Sequence, residues 1–86
     1  MAKLTKDQAI EKIRALIKDT KTLFPADATN AKGHRYHDTI EAEMNAEIDH
    51  LVKNTMSRPE SSLGRCQGFA DDYQGIARQA VKKGLW

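Results

Sequence analysis

The sequence has little of what usually reinforces a small domain. Cys66 is the only cysteine, so no disulfide can form within the chain and a zinc site with several cysteine ligands is excluded. There are only two prolines, Pro25 and Pro59, and aromatic residues make up 6% of the chain. These shortages favour a helical domain over a β fold, in a reducing compartment.

Long apolar segments are also missing from the sequence. Residues 1–7 lack the apolar stretch of a secretory signal, and no segment approaches the length that crosses a membrane. We therefore expect a cytoplasmic protein with no membrane partner. The net charge of +2, with 30% charged residues, is too balanced to indicate nucleic-acid binding, so nucleic acid is not an expected partner.

A chain of 86 residues forms one small domain, which buries only about 60% of the surface that its unfolded form exposes. Domains of this size often gain stability from disulfides, metals or partner chains. Because the chain has a single cysteine, oligomerisation is the remaining route to extra stability.

The pattern of apolar residues predicts three helices, at about 5–24, 38–56 and 60–83, packed mostly antiparallel in one all-α domain over 1–86. Thr5 and Gln8 have the spacing of a capping box at the first helix, and Pro25 ends that helix. The predicted apolar positions of the first helix are Ala9, Ile10, Ile13, Leu16, Ile17, Leu23 and Phe24.

The second and third helices have boundary signals of their own. Asp38 followed by Glu41 predicts a cap for the second helix, Pro59 suits the first turn of the third, and Gly84 suits the residue after its end. The predicted apolar positions are Tyr36, Ile40, Met44, Ile48, Leu51, Val52 and Met56, then Leu63, Cys66, Phe69, Ala70, Tyr73, Ile76, Ala77, Ala80 and Val81.

Charge is unevenly distributed along the chain. Residues 25–57 carry six acidic and three basic groups, whereas residues 1–24 carry three acidic and six basic, and residues 58–86 carry three acidic and five basic. An acidic helix between two basic ones favours a particular packing arrangement or a mixed-charge oligomer. The simpler interpretation is that these charges lie on solvated faces, where each pair contributes little.

Three glycines give the third helix an unusual face. Gly64, Gly68 and Gly75 fall within about 40° of each other on a helical wheel, opposite the apolar stripe. Each costs the helix roughly 0.8–1 kcal/mol relative to alanine, which is compensated if another backbone approaches closely. Two alternatives remain open: the helix is interrupted near Gly64 or Gly68, or another helix of this chain covers the glycines.

This face, with its polar rim and the chain end, is the predicted interface. Trp86 either contacts a partner or folds back onto the core of its own chain. The predicted interface residues are Gly64, Gly68, Gly75, Gln67, Asp71, Arg78 and Trp86.

Two other groups of residues are candidates for chemistry. His34, His37 and Glu41 would share one face if the second helix reached back to His34, and could then ligate a transition metal, although no fourth ligand is evident. Cys66 would be a nucleophile if His50 or another histidine met it in the fold, but its place in the apolar stripe predicts a buried and inert thiol. We therefore expect no enzyme, no cofactor and no metal.

The third helix also raises the possibility of a helix-turn-helix DNA reader, with Arg65, Gln67 and Arg78 facing DNA. Against this, Asp71 and Asp72 would lie near phosphates, and the concentrated basic face that neutralises a DNA backbone is missing. Contacts with protein are the stronger expectation for this helix.

The C-terminal run Arg65-Cys66-Gln67-Gly68-Phe69-Ala70-Asp71-Asp72-Tyr73-Gln74-Gly75-Ile76 resembles short helical proteins of tailed bacteriophages. In these, an Arg-x-Gln/Arg-Gly step is followed by an aromatic and an aliphatic residue on a late helix. The resemblance implies small proteins that join virion assemblies as many copies, or that bind and inhibit a host protein. We thus expect a homo-oligomeric structural or adaptor component whose partners are copies of itself or other virion proteins; the alternative is an inhibitor of a host protein.

Overall fold

Three helices pack against one another in the computed structural model, which describes residues 4–86. They are α1 (Lys6–Lys21), α2 (Tyr36–Lys53) and α3 (Pro59–Lys82), and each contacts the other two. The prediction of an all-α three-helix domain is confirmed.

Contacts near the helix ends define how the chain runs. Lys21 at the end of α1 pairs with Glu41 near the start of α2, while Lys6 at the start of α1 donates to the carbonyl of Asn54, just after α2. Helices α1 and α2 are therefore antiparallel. Arg65 and Tyr73 of α3 also meet α2 in reverse order, so α2 and α3 are antiparallel as well.

The first helix begins as its cap predicts and ends earlier than expected. Thr5 and Gln8 form the capping box, with each side chain accepting a hydrogen bond from the backbone N–H of the other. The prediction of a helix to residue 24 is wrong by one turn. The N–H groups of Leu23 and Phe24 bond to carbonyls only three residues back, a tighter turn that directs Phe24 into the core.

An ordered connection joins α1 to α2. The backbone N–H of Asn30 donates to the carbonyl of His34 at 2.8 Å, and that of Tyr36 donates to the carbonyl of Ala28 at 3.0 Å. Gly33 completes the turn with a φ of 84°, a conformation that favours glycine. The connection is thus a small hairpin-like segment that leads directly into α2.

The predicted cap of α2 is wrong. The helix begins at Tyr36 with Arg35 as the preceding residue and no side-chain cap, because Asp38 lies within the first turn and pairs with the guanidinium of Arg35. The helix also ends at Lys53 rather than at residue 56.

The two boundary signals of α3 are confirmed. Pro59 is the first helical residue, and Gly84 follows the helix with a φ of 76°. The N–H groups of Leu85 and Gly84 donate to the carbonyls of Ala80 and Val81, at 2.9 and 3.1 Å. This pairing is a Schellman motif, which satisfies two carbonyls at the helix end.

The core follows the predicted apolar stripes, with several exceptions. Val52, Met56 and Val81 are 68%, 85% and 60% exposed. Met56 lies beyond the end of α2, and the two valines lie at the margins of their stripes, where the packed helices do not reach. The buried apolar residues are Ala9, Ile13, Phe24, Ile40, Met44, Ile48, Leu51, Cys66, Ala70, Tyr73, Ala77 and Ala80.

Candidate interaction surface

The outer face of α3, defined here by Gly64, Gly68, Asp71, Gly75 and Arg78, is open to solvent. All five residues are exposed, and the helix continues without a break from Pro59 to Lys82. Apart from the adjacent residues and backbone of α3 itself, no atom of residues 4–86 lies within 4 Å of a Cβ atom placed on any of the three glycines. Neither alternative for the glycines holds in residues 4–86, since the helix is not interrupted and no other helix covers them.

Two charged residues on this face have no ion-pair partner among residues 4–86. Asp71 and Arg78 form no ion pair with any residue that the structure describes. By contrast, Arg65 at the edge of the same helix donates to Oε1 of Glu47 on α2 at 2.6 Å. The charge of Arg65, at the edge of α3 that faces α2, is therefore neutralised within the chain, whereas Asp71 and Arg78 on the outer face are unpaired within residues 4–86.

An apolar groove runs beside the outer face, between the end of α1 and the C-terminal half of α3. Leu23 and Val81, which are 42% and 60% exposed, form its apolar walls. Gln74 also lines the groove, and Arg78 connects the groove to the outer face. The polar and apolar residues at this end of α3 thus form one continuous surface.

Trp86 packs on its own chain. Its ring lies 4.9 Å from that of Phe24 and 5.9 Å from that of Tyr36, both in edge-on orientations. Phe24 also meets Tyr73 edge-on at 5.9 Å. Edge-to-face pairs at these separations are favourable beyond the area that they bury. The ring keeps 36% of its surface exposed, so Trp86 contributes both to the core and to the surface.

The histidine group predicted as a possible metal site is not assembled. His34 precedes α2 and lies in the connecting turn, so it does not share a helical face with His37. The ring Nε2 of His37 hydrogen-bonds the carbonyl of Phe24 at 2.9 Å, and Glu41 pairs with Lys21. Among residues 4–86, no three histidine, cysteine or acidic side chains are grouped to hold a metal ion.

The thiol of Cys66 is buried, as its place in the apolar stripe predicts. Desolvation by the surrounding core, with a smaller contribution from the charge of Glu47, raises the pKa of Cys66 from 9.0 to about 11. Because the thiolate is the reactive form, this environment opposes nucleophilic chemistry. His50, the suggested partner of the thiol, is exposed on α2.

The structure brings most of the predicted interface together on α3 and separates one member from it. The glycines, Gln67, Asp71 and Arg78 are exposed on one helix, whereas Trp86 belongs to the aromatic cluster with Phe24.

The periodicity of the sequence predicts a core position for the groove residues Leu23 and Val81, so sequence reasoning missed them as part of the surface. Pro25 is the sequence signal for the exposure of Leu23, because a helix that ends just before Pro25 leaves Leu23 at the end of the apolar stripe.

Comparison with known proteins adds no assignment. No protein-family model matches the chain, and neither the curated proteins nor the solved structures include a significant match. No helix within residues 4–86 combines the length and apolarity that a membrane crossing needs.

Proposed function

We propose that this chain is a non-enzymatic protein-interaction protein that binds copies of itself through the outer face of α3, as a homo-oligomeric structural or adaptor component. One observation carries this proposal. An unbroken 24-residue helix holds Gly64, Gly68 and Gly75 on a face that no part of the described chain covers. Glycine destabilises an exposed helix by roughly 0.8–1 kcal/mol at each position, and close approach of a partner backbone offsets that cost.

Charge on the same surface supports a protein partner. Asp71 and Arg78 are exposed and free of ion pairs within residues 4–86, so they are available for intermolecular pairs. Arg65, one of the residues considered for DNA reading, is instead engaged by Glu47. The assignment to a virion is the more specific part of the proposal and rests on the resemblance of residues 65–76 to small phage proteins.

The alternative is an inhibitor of a host protein that uses the acidic α2 as a mimic of nucleic acid. It has less support, because Asp38, Glu41 and Glu47 are each paired with a basic residue of the same chain. A helix that mimics nucleic acid needs its negative charges free to meet the basic site of the partner.

Self-association is tested by measuring the mass of the purified chain with light scattering over a range of concentrations. We expect an oligomer, which Gly75→Ala weakens because a methyl group enters the contact. In an uncovered helix the same change would instead raise the free energy of unfolding by about 1 kcal/mol and leave the mass unchanged.

Ala46→Gly is the matched control, because Ala46 is exposed on α2, away from the outer face of α3. It should lower the free energy of unfolding by about 1 kcal/mol without changing association of the folded chain. A wild-type chain that stays monomeric at every concentration, together with a Gly75→Ala variant that is only more stable, would refute self-association.

A further inference from the structure

Charges on the outer face of α3 are arranged by sign along the helix. Asp71 lies toward the N-terminus and Arg78 toward the C-terminus, and both are exposed. They are seven positions apart in the sequence, which is about two helical turns and brings them to nearly the same side of the helix. A second α3 running in the same direction would place like charges together, while one running in the opposite direction would pair opposite charges.

From this arrangement we infer that the occupant of the outer face is α3 of a second copy, antiparallel to the first about a two-fold axis beside Gln74 and Gly75. Asp71 of each copy then meets Arg78 of the other. The inference rests on the proposed self-association and specifies its geometry. A two-fold contact uses the same patch on both copies. The outer face of α3 is self-complementary because it carries both members of the Asp71–Arg78 pair.

Residues next to the proposed axis suit a close crossing. Gly75 has open space where a side chain would stand, so the two backbones can approach there. Gln74 lines the groove beside α3, and its amide both donates and accepts, which allows it to pair with its own symmetry mate.

The apolar groove supplies the area that a stable contact needs besides charge. Its exposed walls, Leu23 and Val81, lie along the same side of α3 as Gln74. In an antiparallel pair the two-fold axis places the two grooves at opposite ends of the contact, where each faces the N-terminal half of the other α3. Burial of apolar surface would then stabilise an orientation that the charges select.

The orientation is tested by disulfide formation between two single variants. Asp71→Cys and Arg78→Cys are prepared separately and mixed in equal amounts under air with a copper–phenanthroline catalyst. We expect a cross-linked heterodimer from the mixture and little cross-linking from either variant alone. The native Cys66 does not interfere because it is buried. In that heterodimer the second contact keeps its wild-type Asp71–Arg78 pair.

A matched control uses another exposed pair with the same spacing. Glu11 and Lys18 are also two turns apart and exposed, but they lie on α1, away from the outer face of α3. A mixture of Glu11→Cys and Lys18→Cys should cross-link much less. Cross-linking of Asp71→Cys with itself would overturn the antiparallel arrangement, because it indicates parallel helices.

Exchanging the charges of Asp71 and Arg78 tests the same geometry without introducing cysteine. We expect Asp71→Arg or Arg78→Asp alone to raise the dissociation constant about tenfold or more, and the double variant to recover most of that loss. A wild-type chain that associates without responding to these changes would overturn this geometry but leave self-association standing. A wild-type chain that is monomeric throughout would overturn both.

Discussion

The hydroxyl of Tyr73 on α3 lies 3.0 Å from Oε2 of Glu43 and 3.2 Å from Oγ1 of Thr39, both on α2. The ring of Tyr73 is buried, and only its hydroxyl reaches the polar side of α2. This contact therefore fixes how α3 sits along α2, as a polar link at the margin of an apolar core. Burial, more than the nearby charge of Glu43, raises the pKa of Tyr73 above its ordinary value.

Removing this hydroxyl should destabilise the fold. We expect Tyr73→Phe to lower the free energy of unfolding by about 1 kcal/mol, because the hydrogen bond is lost while the ring remains. Urea denaturation followed by circular dichroism measures the change. Tyr36→Phe is the control, since no side-chain hydrogen bond involves the hydroxyl of Tyr36 in residues 4–86. Equal losses in the two variants would contradict a special role for the Tyr73 contact.

Ser62 offers the opposite test, in which a substitution stabilises the chain. Its side chain is fully buried, and its Oγ has no hydrogen-bond partner among the described residues. Ser62→Ala removes an unsatisfied polar atom and should raise the free energy of unfolding by about 1–2 kcal/mol. The neighbouring Ser61 is exposed, so Ser61→Ala gains only about 0.5 kcal/mol from helix propensity. Thermal or urea unfolding of the two variants measures the difference that burial makes. Equal gains in the free energy of unfolding would contradict a cost of burying the Ser62 hydroxyl.

The contact of Trp86 with Phe24 predicts that the chain end contributes to stability. We expect Trp86→Ala to lower the free energy of unfolding by about 1–3 kcal/mol, because two edge-on aromatic contacts are lost. Leu85→Ala should have a much smaller effect, since Leu85 is 70% exposed. Chemical denaturation of both variants gives the comparison. A Trp86→Ala variant as stable as the wild type would show that the tail does not anchor on Phe24 in solution.

The buried thiol of Cys66 predicts a dependence of stability on pH. The pKa of Cys66 is raised from 9.0 to about 11 in the folded chain, so the folded state holds this proton more tightly than the unfolded state. Its contribution is complete below about pH 9 and is lost as the pH rises toward 11. We expect the wild type to lose more stability than Cys66→Ala over this interval in denaturation experiments. Parallel pH profiles of the two proteins would contradict the raised pKa.

Local signals in the sequence predicted most of the helical architecture. The capping box of Thr5 and Gln8, Pro59 in a first turn and Gly84 after a helix end all act within a few residues. The predicted cap at Asp38 failed because a competing local contact, its pair with Arg35, occupies the carboxylate inside the helix. Such a competition between neighbours is not visible in residue spacing alone.

The candidate surface could be predicted only in part. Helical periodicity placed the glycines of α3 opposite the apolar stripe, because that relation depends on the geometry of one helix. Periodicity could not show that Leu23 and Val81 stay exposed, since this depends on where α1 ends relative to α3. The choice between a core and a surface role for Trp86 likewise depended on the position of Phe24.

The sequence by itself determined that this chain forms three helices and that α3 carries apolar residues on one side and glycines on the other. Only the tertiary structure decided which charges are neutralised by an ion pair within residues 4–86 and which are not, as with the paired Arg65 and the unpaired Arg78. The physical reason is range: caps and periodicity act within one or two helical turns, whereas ion pairs and aromatic contacts join residues that are distant in the chain.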